Sequence, residues 1–295
     1  MNGDNEILFL TYFYRGEGIM NKLFLFSLGT ALAMSFNAYA GGSCGSNCTW
    51  GLKDGVLTIS GTGRMRAYEW TSDRSVTNAP WGKLKDQVTS VVVSEGITNI
   101  SNRSFHGMDK IESFKIPNTV TSIDGGAMEG LKSLKELDIP NSVKSIGTNG
   151  LEYLHSLKSL KIPDSVTSLG NWALAGSKGM ENLELGNGIT YLGRGALRTM
   201  NNLKSLTLGE NITYIASEAF GSTFKSDIIY YNSDEQLEML KTALLRDGAD
   251  LSAINLKHIS EKPADDEKAG RRFYTPAEAA AVVEEGTGNT VEITF

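Results

Sequence analysis

The chain has 295 residues, 40% of them hydrophobic and 21% charged, which are the proportions of an ordinary globular protein. A net charge of −6 with no long basic run excludes the usual signature of a nucleic-acid binder. With 32 glycines and only 6 prolines, the sequence carries many turns and few stiff spacers.

Residues 20–40 read MNKLFLFSLGTALAMSFNAYA. Lys22 gives a short positive region, Leu23 to Met34 a mostly apolar run, and Ala38-Tyr39-Ala40 a small-x-small cleavage site. The apolar run is short for a membrane span. The segment is expected to be a signal peptide cleaved after Ala40, leaving no membrane span in the mature chain. The alternative is a buried core helix. Arg15-Gly16-Glu17-Gly18 can be encoded almost entirely by purines, which suggests a translated ribosome-binding site and a start at Met20, with 1–19 a mis-called start. Cys44 and Cys48, in CGSNC, have no further metal ligands near them. In an exported chain they are expected to form a local disulfide.

Residues 41–87 read as an N-terminal β cap. Gly55 to Gly61 alternates as GVLTISG, a strand pattern. Trp50, Met65, Tyr68, Trp70 and Trp81 either cover the first repeat or form an aromatic ligand site for sugar.

From Val88 to Lys225 the sequence falls into six lines of 23 residues without a gap. The fourth position reads Val91, Phe114, Leu137, Leu160, Leu183, Leu206, and the sixth Val93, Ile116, Ile139, Ile162, Leu185, Leu208. The tenth position holds Val or Ile throughout, and the thirteenth Ile or Leu. The seventeenth carries small residues and the eighteenth large apolar ones, from Phe105 to Phe220. A fixed period of this size implies a solenoid, because one coil cannot bury its own flat faces and stacked coils can. The fourth and sixth positions alternate as a strand does. Parallel strands stack about 4.8 Å apart, so six coils make a strand face on the order of 29 Å long.

The pattern L-x-x-L-x-I-P-x-S-V-x-S-I-G-x-x-A-L resembles the bacterial surface leucine-rich repeat of the BspA type. Cys44 to Trp50, Leu57 to Gly63 and Ala79-Pro80-Trp81 are similar to the leader that precedes such repeats, so the resemblance covers roughly 41–225. The ninth position, Gly96, Thr119, Ser142, Ser165, Gly188 and Asn211, lacks the asparagine ladder of better-known leucine-rich repeats. The resemblance implies a mostly β fold with short helical turns, a right-handed leucine-rich-repeat solenoid with N- and C-terminal caps and a small C-terminal tail. It also implies a secreted or surface-exposed protein that binds other proteins, often in adhesion, with no family active site.

Residues 226–260 are expected to close the solenoid. Ile228 to Tyr231 reads as a strand, Ile254 to Ile259 as another. Asp234 to Arg246 reads as an amphipathic helix with Leu237, Leu240, Leu244 and Leu245 on one side, stopped at Asp247-Gly248. A charged linker follows at 261–272. At 273–295, Thr275-Pro276-Ala277-Glu278 is a capping box with Pro in the first helical position, ahead of an alternating run from Thr290 to Phe295. This strand-helix-strand tail is too small to be stable alone. It either docks or serves as an attachment element.

Motifs for catalysis are sparse. His106, His155 and His258 share no metal-ligand spacing, and the sequence has no nucleophile elbow, phosphate loop or dinucleotide fingerprint. Asp138 and Glu184 share a register position two coils apart, about 10 Å, the nearest approach to a catalytic carboxylate pair. The expectation is no enzyme and no cofactor. The fifth position, exposed on the strand face, reads Val92, Lys115, Asp138, Lys161, Glu184, Thr207. These charges form either a self-neutralising ladder or a mixed-charge recognition strip. On the other arc Tyr191 and Tyr214 stand one coil apart at the twelfth position, the best candidate contact patch. Thr98, Thr121, Thr167, Thr190 and Thr213 run beside them as a structural ladder. The expected partner is a protein on a host or neighbouring cell, with a glycan as the second class. A self-associating envelope protein is the competing role.

Overall fold

The computed structural model describes residues 40–221 and 224–263. The expected start at 1–19, the signal peptide except Ala40, the tail 273–295 and all of the linker from 264 onward lie outside the described residues. Among the described residues no helix is long and apolar enough to cross a membrane. The chain divides into a unit ending at Ser260 and a second, Glu261–Phe295, of which only 261–263 are described.

The N-terminal strands β1 (Ala40–Gly45), β2 (Cys48–Lys53) and β3 (Val56–Gly61) form an antiparallel meander. A Cys44–Cys48 disulfide ties the β1–β2 turn. β3 then pairs in parallel with Ser90–Val93, Leu57 opposite Val91 and Ile59 opposite Val93. The meander thereby presents the first coil with the same strand edge that another coil would.

The repeat columns point inward as their period requires. The fourth, sixth, tenth, thirteenth and eighteenth positions of all six coils are at most 9% exposed. Their side chains stack into one continuous core. Strands on the first face pair in register at an offset of one repeat, Ser90 with Ser113, and Ser159 with Asn182 and then Ser205. This ladder is interrupted at the third coil, where Glu136 makes only an isolated bridge to Ser113. The sheet is therefore two five-stranded pieces. Two residue choices account for the gap. Glu136 and Asp138 are carboxylates, which strands disfavour. Glu136 also interrupts a column of hydroxyls and amides at the third position. Ser113 Oγ donates to Ser90 Oγ at 2.7 Å, and Ser205 Oγ to Asn182 Oδ1 at 2.9 Å.

A second ladder of two-residue strands runs through Asn99–Ile100, Ser122–Ile123, Ser145–Ile146 and Ser168–Leu169, and resumes at Tyr191–Leu192 and Tyr214–Ile215. The return arc is built of turns, yet it too is bonded coil to coil. Arg103, Phe105 and Gly107 donate to the carbonyls of Gly125, Ala127 and Glu129, and the pattern repeats in later coils. Residues Arg103, Gly126, Asn149, Trp172, Gly195 and Glu218, one per coil, all have φ between 50° and 65°. Only two of them are glycine; the coil-to-coil bonds hold the others in the left-handed region despite its cost. Large left-handed side chains, Trp172 in this column and Tyr153 (φ 62°) four residues after Asn149, pack over a glycine in the next coil. A Cβ on Gly176 would lie 2.3 Å from the Tyr153 ring, and one on Gly195 2.5 Å from Trp172.

The C-terminal cap comprises the strand Ser226–Tyr231, helix α1 (Asp234–Arg246) and the strand Asn255–His258. Ser233 caps α1 by accepting from the Gln236 amide. Leu240 and Leu244 are buried as expected, but Leu245 is 60% exposed. Gln236, at 4% exposure, takes a buried place instead. Its Nε2 donates to the Gly209 carbonyl at 2.9 Å, and its Oε1 accepts from the Asn232 amide at 2.8 Å. The last coil has no successor to bond its backbone, so the cap offers a side chain in place of one.

Candidate functional site

Tyr191 and Tyr214 are placed by register. Their strands pair in parallel, Tyr191 opposite Tyr214 and the buried Leu192 opposite Ile215. Inward anchoring of Leu192 and Ile215 forces the preceding side chain outward. The two rings stack at 5.2 Å between centroids and 5° between planes, 46% and 55% exposed. In the preceding coils the column carries the buried Asn99 and then the small Ser122, Ser145 and Ser168, the last of which is exposed beside Tyr191. The neighbouring threonines are structural as expected: Thr121 Oγ1 donates to the Thr98 carbonyl at 3.1 Å and Thr213 Oγ1 to that of Thr190 at 3.4 Å.

The charged strand face behaves as a ladder in its C-terminal part. Lys161 pairs with Glu184 at 2.5 Å, and Glu181 lies between Lys158 at 3.0 Å and Lys204 at 2.6 Å. Those lysines hold the Glu181 carboxyl below the usual carboxylate range, mainly through the hydrogen bond from Lys204. Lys135 pairs with Glu112 at 2.5 Å. Among the described residues Lys115 and Asp138 take part in no ion pair, although register alone would set them beside each other. They flank the gap in the sheet, where Asp138 lies outside any strand. The six candidate contact residues therefore do not form one site. Lys115, Asp138, Lys161 and Glu184 lie on the first ladder, and the tyrosines on the second.

The aromatic side chains of the leader pack inward against the first coil. Trp50, Met65, Tyr68 and Trp81 are buried, and Trp81 Nε1 donates to the Ser104 carbonyl at 2.8 Å. Trp70 is half-buried, and the Arg103 guanidinium lies 3.7 Å from its ring centroid. A sugar stacking on that face of Trp70 would have to displace the arginine.

On the return arc a polar column is enclosed. His106 Nδ1 lies 3.2 Å from Glu129 Oε2 without the angle of a hydrogen bond, and Glu152, one coil further, is only 6% exposed. Burial raises the Glu152 carboxyl above its ordinary range. A hydrogen bond from Asn149 opposes this, and the Glu129 charge adds to it. A raised folded-state value means that Glu152 favours the fold while protonated. The benefit is complete below the unfolded-state value and is lost as pH rises through the folded one. Glu152→Gln, which keeps an acceptor for Asn149, is therefore expected to raise the melting temperature at pH ~8 and to leave it unchanged near pH ~4. Equal melting-temperature shifts at both pH values would contradict this. Burial, and then the charges of Lys132 and Lys178, lower the His155 value. Among the described residues no cluster of three His, Cys, Asp or Glu is arranged to hold a metal.

One part of the surface was not legible as a site. The α1 face carrying Glu238, Met239, Thr242 and Arg246 lines a shallow groove with Tyr214. The period itself could have found it: carried one unit past Tyr214, the column reaches 237, at the start of that face.

The family model described as "BspA type Leucine rich repeat region" matches in six copies over residues 83–153 and 129–241. Among solved structures, a leucine-rich repeat protein from Eubacterium ventriosum is 20% identical with a TM-score of 0.45, covering 67% of this chain and 73% of that one. The T. pallidum leucine-rich repeat protein is 18% identical with a TM-score of 0.48, covering 66% and 92%. One from Bacteroides ovatus is 16% identical with a TM-score of 0.42, covering 72% and 66%. No curated protein matches the chain. With in-register 23-residue coils, a core built from their columns and a family model spanning more than half of its length, this chain belongs to the BspA-type leucine-rich-repeat family.

Proposed function

We propose that the mature protein is exported and acts as a non-enzymatic binding module, secreted or held at the cell surface, that recognises another protein in adhesion or host contact. Export rests on the signal-like sequence of residues 20–40 and on the disulfide, which persists in oxidising compartments. The observation that carries the binding role is the Tyr191–Tyr214 stack. Two aromatic rings held outward by a rigid ladder lose little freedom on contact, and such anchors dominate interface energetics. The strand face contributes a second contact, with Lys115 and Asp138 as its unneutralised charges and Lys161–Glu184 at its rim.

The test uses a partner captured by cross-linking the mature protein to intact neighbouring or host cells. Tyr191→Ala combined with Tyr214→Ala is expected to weaken that complex at least about tenfold, the scale of one interface hot spot. Its melting temperature should stay that of the wild type, because both rings are exposed. Unchanged affinity would remove the tyrosines from the interface.

A further inference from the structure

Helix α1 closes the last coil but does not seal it along its whole length. Between α1 and the second ladder lies an open groove of about 320 Å³, with Tyr214 on one side and Glu238, Met239, Thr242 and Arg246 on the other. Tyr191 covers one face of the Tyr214 ring, which leaves the opposite face for the groove.

The chemistry of the lining narrows the ligand. Arg246 is fixed from behind: Nε donates to Asp247 Oδ1, Nη1 to the Ile215 carbonyl and Nη2 to that of Ala216. A guanidinium has five N–H donors, so two remain for a ligand. Glu238 binds Lys241 at 2.8 Å through one oxygen and is largely exposed, leaving acceptor capacity on its carboxylate. The Thr242 hydroxyl donates to the Glu238 carbonyl and can still accept. One carboxylate and one guanidinium make the wall neutral overall. An anion would meet Glu238 and a cation Arg246, so neither gains a net field. A neutral ring with an apolar face and hydroxyls at its edge satisfies every group. Its C–H face packs on Tyr214 and Met239, and its hydroxyls donate to Glu238 and accept from Arg246.

We propose that the groove between Tyr214 and α1 binds a single neutral pyranose ring. The groove is shallow and open, and the single free face of Tyr214 offers a stacking platform for one ring. An open site of this size is expected to bind with a dissociation constant on the order of 1 mM, gaining biological strength only through many copies. The proposal goes beyond protein recognition and uses the ring face that the stack leaves open.

The experiment is saturation-transfer NMR on the mature chain. Its probes are the methyl glycosides of mannose, galactose, glucose and N-acetylglucosamine, each at about 5 mM, with N-acetylarginine amide as a protein side-chain mimic. At least one glycoside should receive transfer at its ring protons, retained in Tyr214→Phe. Transfer should fall about tenfold in Tyr214→Ala and severalfold in Glu238→Gln, with melting temperatures unchanged. Absence of transfer to all four glycosides overturns the proposal. So does transfer that survives Tyr214→Ala, or stronger transfer to N-acetylarginine amide than to any sugar. In each case captured-partner binding by the wild type would leave the protein-recognition reading standing.

Discussion

Asp247→Ala is expected to destabilise the C-terminal end of the solenoid by about 2–5 kcal/mol. The Asp247 side chain is 2% exposed and paired with Arg246 at 3.0 Å. Its two oxygens accept from the backbone amides of Glu218 at 2.9 Å and Phe220 at 3.1 Å, groups that another coil would otherwise satisfy. Truncation strands both amides, and unpaired buried donors cost their full desolvation, whereas Arg246 is exposed and its lost counter-charge adds little. Asp247→Asn keeps one acceptor oxygen and should fall between the two. Because solenoid stability is nearly a nearest-neighbour sum, the damage should be local. Hydrogen exchange in Asp247→Ala should accelerate first around Tyr214–Phe220 and last at the N-terminal cap. A loss under about 1 kcal/mol in urea unfolding would mean that the carboxylate is not the plug.

The mirror-image expectation concerns Trp81→Ala, with a cost of about 3–5 kcal/mol. Trp81 is fully buried. Its ring stacks on Phe105 at 5.6 Å and meets Trp50 and Tyr68 edge-on at 5.9 and 5.3 Å. Deleting the indole opens a cavity under the first coil and strands the Ser104 carbonyl. Trp81→Phe restores most of the packing but no donor, and should cost about 1–3 kcal/mol, the price of one buried unpaired acceptor. Here exchange should rise first at Ile100–Phe105. Uniform acceleration along all coils in either variant would argue against independent sealing of the two ends.

The core was readable because a solenoid repeats one environment. Leu137, Leu160 and Leu183 occupy one column, so a period of 23 residues carries its own evidence, and all three are at most 8% exposed. Helix α1 was readable for the same reason, from its own period and from the stop at Asp247-Gly248. Its buried face was less so. Leu244 and Leu245 are equally apolar and adjacent, and only the direction of the last coil buries the first and exposes the second. Hydrophobicity also gave no hint that Gln236 is buried, because its place is decided by the Gly209 carbonyl it satisfies.

The candidate site divides along the same line. Register set Tyr191 beside Tyr214, and the stack follows directly. The expectation that Lys115, Asp138, Lys161 and Glu184 form one alternating column met the gap at the third coil, where pairing fails and only Lys161–Glu184 closes as an ion pair. For Trp70 the choice between cap and sugar site was not decidable from sequence, because Arg103, which lies over its ring, comes from another part of the chain.

From sequence alone follow the coil length, the columns that form the core, the two surface ladders and the need for seals at both ends. Each is a property of one residue type recurring at one spacing. Tertiary structure alone decided which polar side chains stand in for the missing neighbours, where the first ladder breaks, and that non-glycine residues hold the left-handed turns. These depend on backbone groups of one coil meeting another, and a backbone amide or carbonyl looks the same at every position of a sequence.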